Sequence, residues 1–121
     1  YQGFLENEVG GVWQAASQMQ VPSGTQSGQN GGVVAVQCPS DGNCVASGSY
    51  LDASGAYQPD VVSEVDGTWQ RGAQVPLPSG ATTVGTDGGI YAIHCATATS
   101  CVGIGSYLRG TDTYEGFTLG S

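Results

Sequence analysis

Carboxylates are the most abundant side chains in this sequence that could take part in catalysis. Glu6 and Glu8 alternate along one predicted strand, and so do Glu64 and Asp66, which directs the members of each pair to the same face. A glycosidase needs two carboxylates that flank a bound sugar, and these normally lie on different strands of a cleft. Glu8 and Glu64 occupy matching positions of an internal repeat and would converge only across a symmetry axis. We therefore predict that both flank hairpin turns and are not catalytic.

His94 is the one histidine, and it precedes Cys95 in a predicted strand. A lone imidazole could act as a general base, but the sequence has no Gly-x-Ser-x-Gly elbow, no reactive free cysteine and no His-x-x-x-His pair. The oxygen-rich segments 52–60 and 111–112 do not match an EF-hand loop. We predict that the protein is not an enzyme and has no catalytic residue, no metal site and no cofactor.

Aromatic side chains and two arginines remain as candidates for a binding site. The tryptophan and tyrosine rings recur at matching positions of the repeat and could stack on sugar faces, although such rings also fill the core between sheets. The arginines replace Ala15 and Asp52 of the other copy, so they could contact an anionic ligand or form surface ion pairs. The predicted ligand-binding residues are Trp13, Trp69, Tyr50, Tyr107, Arg71 and Arg109.

Four cysteines form two C-x5-C pairs, one in each copy of the repeat. Each pair lies across a predicted hairpin, whereas zinc sites more often use C-x2-C or C-x4-C with further His or Cys ligands. We predict disulfides between Cys38 and Cys44 and between Cys95 and Cys101, each worth about 2 kcal/mol because the loop is short. Disulfides persist in oxidising compartments, so the predicted location is extracellular.

Charge limits the classes of partner. The chain has 121 residues and a formal net charge of −8, with two arginines and no lysine. Nucleic acids and anionic membranes both require basic surfaces, so the composition excludes them as partners. We find no signal peptide or transmembrane run, and we expect a processed or excised chain because the sequence starts without Met.

An internal repeat organises the whole chain. A shift of 56 positions aligns the two tryptophans, and beyond residue 80 a shift of 57 aligns the two cysteine pairs. Tyr1, Tyr57 and Tyr114 also coincide, so the opening YQGFL and the ending YEGFTL are versions of one strand. We predict a single domain, 1–121, made of two repeats of about 57 residues (about 1–56 and 57–113) and a duplicated end strand at 114–121.

Turn chemistry predicts an all-β fold with about four short strands in each repeat. Asp66-Gly67 and Gly10-Gly11 can adopt positive φ and stand between strand-like runs, as in two-residue hairpins. A second hairpin spans each cysteine pair, with turns at 39–43 and 96–100 between strands predicted at 33–38, 44–50, 90–95 and 101–107. No stretch shows the 3.6-residue period of a capped helix.

Two motifs resemble a known group of tandem repeats. CPSDGNCVASGSY at 38–50 and VVSEVDGTW at 61–69 are similar to C-x-S-x-G-x-C-x-A-x-G-x-Y and V-V-S-E-x-x-G-x-W, patterns of repeats in secreted bacterial proteins that are common in actinobacteria. The resemblance covers essentially the whole chain and is looser at 96–100 and 117–119. It implies four-stranded blades like those of β-propellers, and it transfers no functional residue.

The repeat leaves several architectures and functions open. Propellers close with about four to eight blades, so two repeats imply a homo-oligomer, a larger repeat array, or a compact two-repeat β-sandwich or barrel. The leading prediction is a secreted, non-enzymatic module that binds a carbohydrate or a protein partner through loops and repeated aromatic positions. One alternative is a protease-inhibitor-like or other protein-interaction scaffold that presents the loop 22–32. The other is a small-ligand carrier, because the C-terminal third resembles the small acidic β-sandwiches that carry enediyne chromophores.

Overall fold

A computed structural model of the chain describes residues 1–25 and 31–120. These residues form β-strands and no helix, which confirms the predicted all-β class, and they include no helical segment that could cross a membrane. None of the sheets that they form closes into a barrel. The strands are β1 (Phe4–Leu5), β2 (Glu8–Val9), β3 (Val12–Trp13), β4 (Ser17–Gln18), β5 (Gly31–Ser40), β6 (Asn43–Leu51), β7 (Tyr57–Val65), β8 (Thr68–Trp69), β9 (Ala73–Gln74), β10 (Gly89–Thr97), β11 (Ser100–Arg109) and β12 (Thr113–Gly120).

The central sheet contains the long antiparallel strands β5, β6 and β7, and both β8 and β9 lie on the outer edge of β7. β8 pairs with the end of β7 through Glu64↔Trp69, and β9 pairs with its middle through Asp60↔Gln74. Between β8 and β9, Gly72 N donates a hydrogen bond of 2.7 Å to the backbone oxygen of Gln20. The outer strand of the sheet is therefore split into β8 and β9 where residues 1–25, the N-terminal segment, meet the sheet.

The same pairings recur in the flanking parts of the chain. In the N-terminal segment, β1 pairs with β4 and β2 with β3, at positions that a shift of 56 relates to the β7–β9 and β7–β8 pairs. Strands β10, β11 and β12 form a three-stranded sheet in which Leu108↔Tyr114 repeats Leu51↔Tyr57 at a shift of 57. The N-terminal segment thus corresponds to the outer strands of the central sheet, and β10–β12 to its inner three.

The two glycine-containing hairpins have the predicted turns. Asp66 and Gly67 connect β7 to β8 with φ angles of 49° and 82°. Gly10 and Gly11 connect β2 to β3 with φ angles of 60° and 80°. Two consecutive left-handed residues match the twist of the flanking strands, which is why these pairs of residues predict the hairpins from sequence.

Disulfides join Cys38 to Cys44 and Cys95 to Cys101, as predicted. The five-residue turns predicted at these hairpins are wrong, because strand pairing continues past the cysteines and leaves two-residue turns. A register shift precedes the last pair of each hairpin, and those closing pairs are Ser40↔Asn43 and Thr97↔Ser100. The disulfides therefore lie within the paired strands, close to the turns.

The main core lies between the N-terminal segment and one face of the central sheet, where Val33 and Trp69 pack at its margin. The other face of the central sheet is covered by β10. On that face Ser47 is fully buried, and its hydroxyl donates to Ile90 O at 3.4 Å. The buried side chains of the main core are Leu5, Met19, Val21, Ala46, Tyr50 and Val62.

Asp60 is a fully buried carboxyl group on β7. Neither of its carboxylate oxygens has a hydrogen-bond partner among residues 1–25 and 31–120. A Cβ added at Gly72 would lie 3.1 Å from Asp60 Oδ2 and 3.2 Å from Gln20 O, so the carboxyl group lies where the N-terminal segment contacts the sheet. Burial raises the pKa of Asp60 to about 7, because the charged form loses its hydration.

Gly48 marks a close approach of β6 to β5 that allows us to test the packing. A Cβ at Gly48 would lie 1.8 Å from Gly32 O, so Gly48→Ala should lower the free energy of unfolding by about 3 kcal/mol through overpacking against backbone. Gly32→Ala is the matched control, since a Cβ at Gly32 meets nothing within 4 Å, and it should cost less than about 1 kcal/mol. Urea unfolding with intact disulfides measures both values, and equal losses would contradict this contact.

The buried carboxyl group of Asp60 predicts a specific dependence of stability on pH. Its pKa is about 7 in the folded chain and about 4 in the unfolded chain. The folded state therefore holds the proton more tightly, and stability is lost as the pH rises through this interval. Asp60→Asn removes the titration at similar size, so it should stabilise the protein over wild type by about 4 kcal/mol at about pH 8 and by little at about pH 4.

Urea unfolding across this pH range measures the effect of Asp60→Asn as a difference from wild type. Asp66→Asn is the charge-matched control, because it removes one negative charge from an exposed turn. A difference between Asp60→Asn and wild type that does not change with pH would refute the protonation of a buried carboxyl group.

Candidate functional site

A cleft of about 410 Å³ separates the N-terminal segment from the β7–β8 hairpin. We call it the Trp69 cleft, since the indole of this residue contributes an aromatic wall. The N-terminal segment forms the facing wall with residues from β1, β2 and β4 and from their connections. The residues that line the Trp69 cleft are Leu5, Asn7, Val9, Gln14, Ala15, Ser17, Gln18, Gln20, Gly67, Thr68, Trp69 and Gln70.

Hydrogen bonds across the base of the cleft hold the indole in place. Trp69 Nε1 donates to Asn7 Oδ1 at 2.8 Å, and Asn7 Nδ2 donates to Glu64 Oε1. Glu64 lies opposite Trp69 in the β7–β8 pair and is buried. Because Asn7 belongs to the N-terminal segment, these bonds link the two walls of the cleft and orient the ring.

Side-chain amides dominate the polar surface of the cleft. Gln14 Nε2 donates to Val12 O at 2.9 Å, and Gln70 Nε2 donates to Thr68 O at 2.9 Å. These are the same local contact at a shift of 56, made once on each wall. Amides both donate and accept hydrogen bonds, and no ionisable side chain belongs to the lining that the structure describes. The cleft is therefore suited to a neutral polar ligand with an apolar face.

Two of the predicted binding residues are buried away from the cleft. Tyr50 belongs to the main core, and its hydroxyl donates to Gln74 Oε1 at 3.1 Å. Burial and the nearby Asp60 and Asp52 raise the pKa of Tyr50. Tyr107 is also buried, and its hydroxyl donates to Glu115 Oε2 at 2.6 Å, which raises the pKa of Tyr107 and lowers that of Glu115.

The arginines lie on the surface and have local partners. Arg71 Nη1 donates to Val21 O at 3.0 Å, which ties the central sheet to the N-terminal segment. Arg109 forms an ion pair of 2.9 Å with Glu115. At a shift of 57 the corresponding contact is the hydrogen bond of 2.9 Å from Gln58 Nε2 to Asp52 Oδ2. Position 52 has Asp where position 109 has Arg, and position 58 has Gln where position 115 has Glu, so both partners of the contact differ together.

Trp69 is the one predicted binding residue that lines the cleft. Trp13 lies on β3 with 65% of its surface exposed, outside that lining. The amides of Asn7, Gln14 and Gln70 were not predicted as site residues. The recurrence of glutamine at 14 and 70 was a usable signal, but their convergence depends on how the N-terminal segment packs.

Other candidates from the sequence do not converge on a chemical site. His94 is exposed on β10, and Glu6 and Glu8 are exposed in the N-terminal segment. The described residues contain no group of three or more His, Cys, Asp or Glu side chains that could hold a metal ion. Within the loop 22–32 proposed for a protein-interaction scaffold, residues 26–30 lie outside those that the structure describes.

A second, more open cavity of about 520 Å³ lies between the central sheet and the C-terminal sheet, which is formed by β10, β11 and β12. Tyr57 and Tyr114, which coincide in the repeat, both line it. The Tyr114 hydroxyl accepts a hydrogen bond of 3.3 Å from Asp87 N. Its lining contains the carboxylate of Asp112 and no side-chain amide, whereas five side-chain amides and no carboxylate line the Trp69 cleft.

Comparisons with known proteins add no family or neighbour. A scan against protein-family models, a search of curated proteins and a search of solved structures each returned no match.

Proposed function

We propose that this protein is a secreted, non-enzymatic module that binds a neutral carbohydrate in the Trp69 cleft. The observation that carries the proposal is the composition of the cleft: one indole, five amide side chains and two hydroxyl side chains, with no ionisable group in the described lining. Sugars have apolar faces that stack on aromatic rings and hydroxyl groups that pair with amides. The volume of about 410 Å³ lies within the usual range of small-ligand sites.

Preorganisation supports a binding role for the indole. The Trp69 Nε1–Asn7 bond and the buried Glu64 beneath it fix the ring before a ligand arrives. A ring that is already oriented loses little freedom on binding, which favours affinity. The absence of charged groups from the described lining favours neutral over acidic sugars.

The disulfides and the sheets support the remaining parts of the proposal. Two disulfides in a chain of 121 residues indicate an oxidising environment, and secretion is the simplest way to reach one. The central sheet is antiparallel in the order β5-β6-β7 with β8 and β9 sharing its outer position, and the N-terminal segment and β10 cover its two faces, which supports a four-stranded unit packed between neighbours. We therefore interpret the repeats as blades and the Trp69 cleft as a site between adjacent blades.

Matched tryptophan substitutions test the role of the cleft. Trp69→Ala should weaken binding to a neutral oligosaccharide by at least about tenfold, because the stacking surface is lost. Trp13→Ala, at the same position of the repeat but outside the cleft, should change the affinity by less than about twofold. The ligand is first found on a panel of neutral and acidic glycans, and affinities are then measured by calorimetry on the monomer fraction of each protein.

Gln14→Ala and Gln70→Ala extend the test, because both residues are exposed and should leave the fold intact. Each should weaken binding about threefold to tenfold through the loss of a hydrogen bond. A wild-type protein that binds no neutral glycan, or equal effects of Trp69→Ala and Trp13→Ala, would refute carbohydrate binding in this cleft.

A further inference from the structure

The opening of the chain and its last strand, β12, carry similar residues. The opening Tyr-Gln-Gly-Phe and the segment Tyr-Glu-Gly-Phe at 114–117 share three of four residues in the same register of the repeat. The corresponding part of β7 reads Tyr-Gln-Pro-Asp and places Asp60 at the position of the phenylalanines. The opening of the chain and β12 therefore resemble each other more than either resembles the matching part of β7.

The last strand packs its side chains against β11. Phe117 packs edge-on against Tyr107 with ring centroids 6.0 Å apart. Glu115 accepts hydrogen bonds from Tyr107 and Arg109. At the matching position of the first strand, Phe4 has 62% of its surface exposed. The residue type that is packed at one end of the chain is therefore exposed at the other.

The C-terminal sheet also lacks elements that complete the central sheet. β8 and β9 pair along the outer edge of β7, whereas no described strand pairs along the outer edge of β12. Val45 and Ser47 are buried where β10 covers the central sheet. Their counterparts at a shift of 57, Val102 and Ile104, are 56% and 53% exposed. An edge and a face that neighbouring strands cover in the central sheet are thus open in the C-terminal sheet.

We propose that residues 1–18 of a second copy of this chain replace β12 beside β11. Phe4 of the incoming copy then packs on Tyr107 in place of Phe117, and Gln2 takes the place of Glu115. Its β3 and β4 arrive already paired and supply the missing outer strand. Strand β5 of the incoming copy, which follows its β4 as β10 follows β9, then covers Val102 and Ile104.

This exchange joins copies head to tail, because the donating and receiving surfaces differ. Repetition of such a contact either closes a ring or continues as a chain. The strand pairs lost by β12 are replaced by equivalent pairs, the burial of Phe4 offsets the exposure of Phe117, and the apolar surface of Val102 and Ile104 is buried in addition. In this exchange residues 1–18 stay packed on their own central sheet, so the two walls of the Trp69 cleft keep their relative positions. The proposal therefore goes beyond carbohydrate binding and does not rest on it.

Native mass after refolding tests the exchange. Wild-type protein refolded with intact disulfides at increasing concentration should yield an increasing fraction of dimers or larger assemblies. Phe4→Lys should reduce the assembled fraction at least about tenfold, because the charge would enter the contact with Tyr107. The unfolding midpoint of the monomer should not change, since Phe4 is exposed there. The matched control is Val65→Lys, which alters a half-exposed valine outside the exchanged surface and should assemble like wild type.

A designed cross-link tests the register. Tyr1 would lie opposite Leu108, as Tyr114 does in the single chain, and opposed residues of antiparallel strands are within disulfide reach. The double variant Tyr1→Cys and Leu108→Cys should form an interchain disulfide between positions 1 and 108 on oxidation. Mass spectrometry locates the bond. A wild-type chain that stays monomeric at every concentration, assembly that Phe4→Lys leaves intact, or a link that forms only within one chain would overturn the proposal.

Discussion

The packing of residues 1–25 onto the central sheet is the contact on which the other features depend. Leu5, Met19 and Val21 bury their side chains against β6 and β7. Two hydrogen bonds secure the same contact, from Gly72 N to Gln20 O and from Arg71 Nη1 to Val21 O. Without this contact the Trp69 cleft would have one wall, and the face of β7 that carries Asp60 would be open to water.

That packing also explains why one carboxyl group is buried at the contact. Asp60 lies at a position where the first and last strands have phenylalanine, and Phe4 is 62% exposed there, so full burial depends on the covering segment and not on the repeat. The N-terminal segment covers position 60 whatever residue occupies it. A carboxyl group without a partner among the described residues avoids the cost of a buried charge by holding its proton, which is the physical reason that burial raises its pKa.

Local chemistry made part of the fold predictable from sequence. The positive φ at Asp66-Gly67 and Gly10-Gly11 and the spacing of the cysteines act over a few residues, so they determine hairpins without knowledge of the rest of the chain. The five-residue turns predicted for the disulfide hairpins were too long, because strand pairing continues past the cysteines to Ser40↔Asn43 and Thr97↔Ser100.

The cleft was less predictable, because it depends on contacts between distant residues. The repeat aligned Trp13 with Trp69 and gave no reason to separate them, yet only Trp69 has a neighbouring unit that supplies Asn7. Tyr50 and Tyr107 were predicted as ligand-binding residues, but packing buries both rings. These outcomes depend on which face of each strand is covered, and a single repeat does not contain that information.

A cleft between adjacent units would link the proposed assembly to the proposed binding. Trp69 belongs to one copy of the repeat and Asn7 to the copy before it, so a site of this kind forms only where two copies meet. Trp13 has the same place in its own hairpin, with no described unit in front of it to form the facing wall. If residues 1–18 join the C-terminal sheet of another copy, Trp13 faces β7 of that copy, where Ser63 stands at the position of Asn7. The number of sites would then increase with the number of junctions, and weak individual contacts to a repeating glycan would combine into stronger attachment through multivalency.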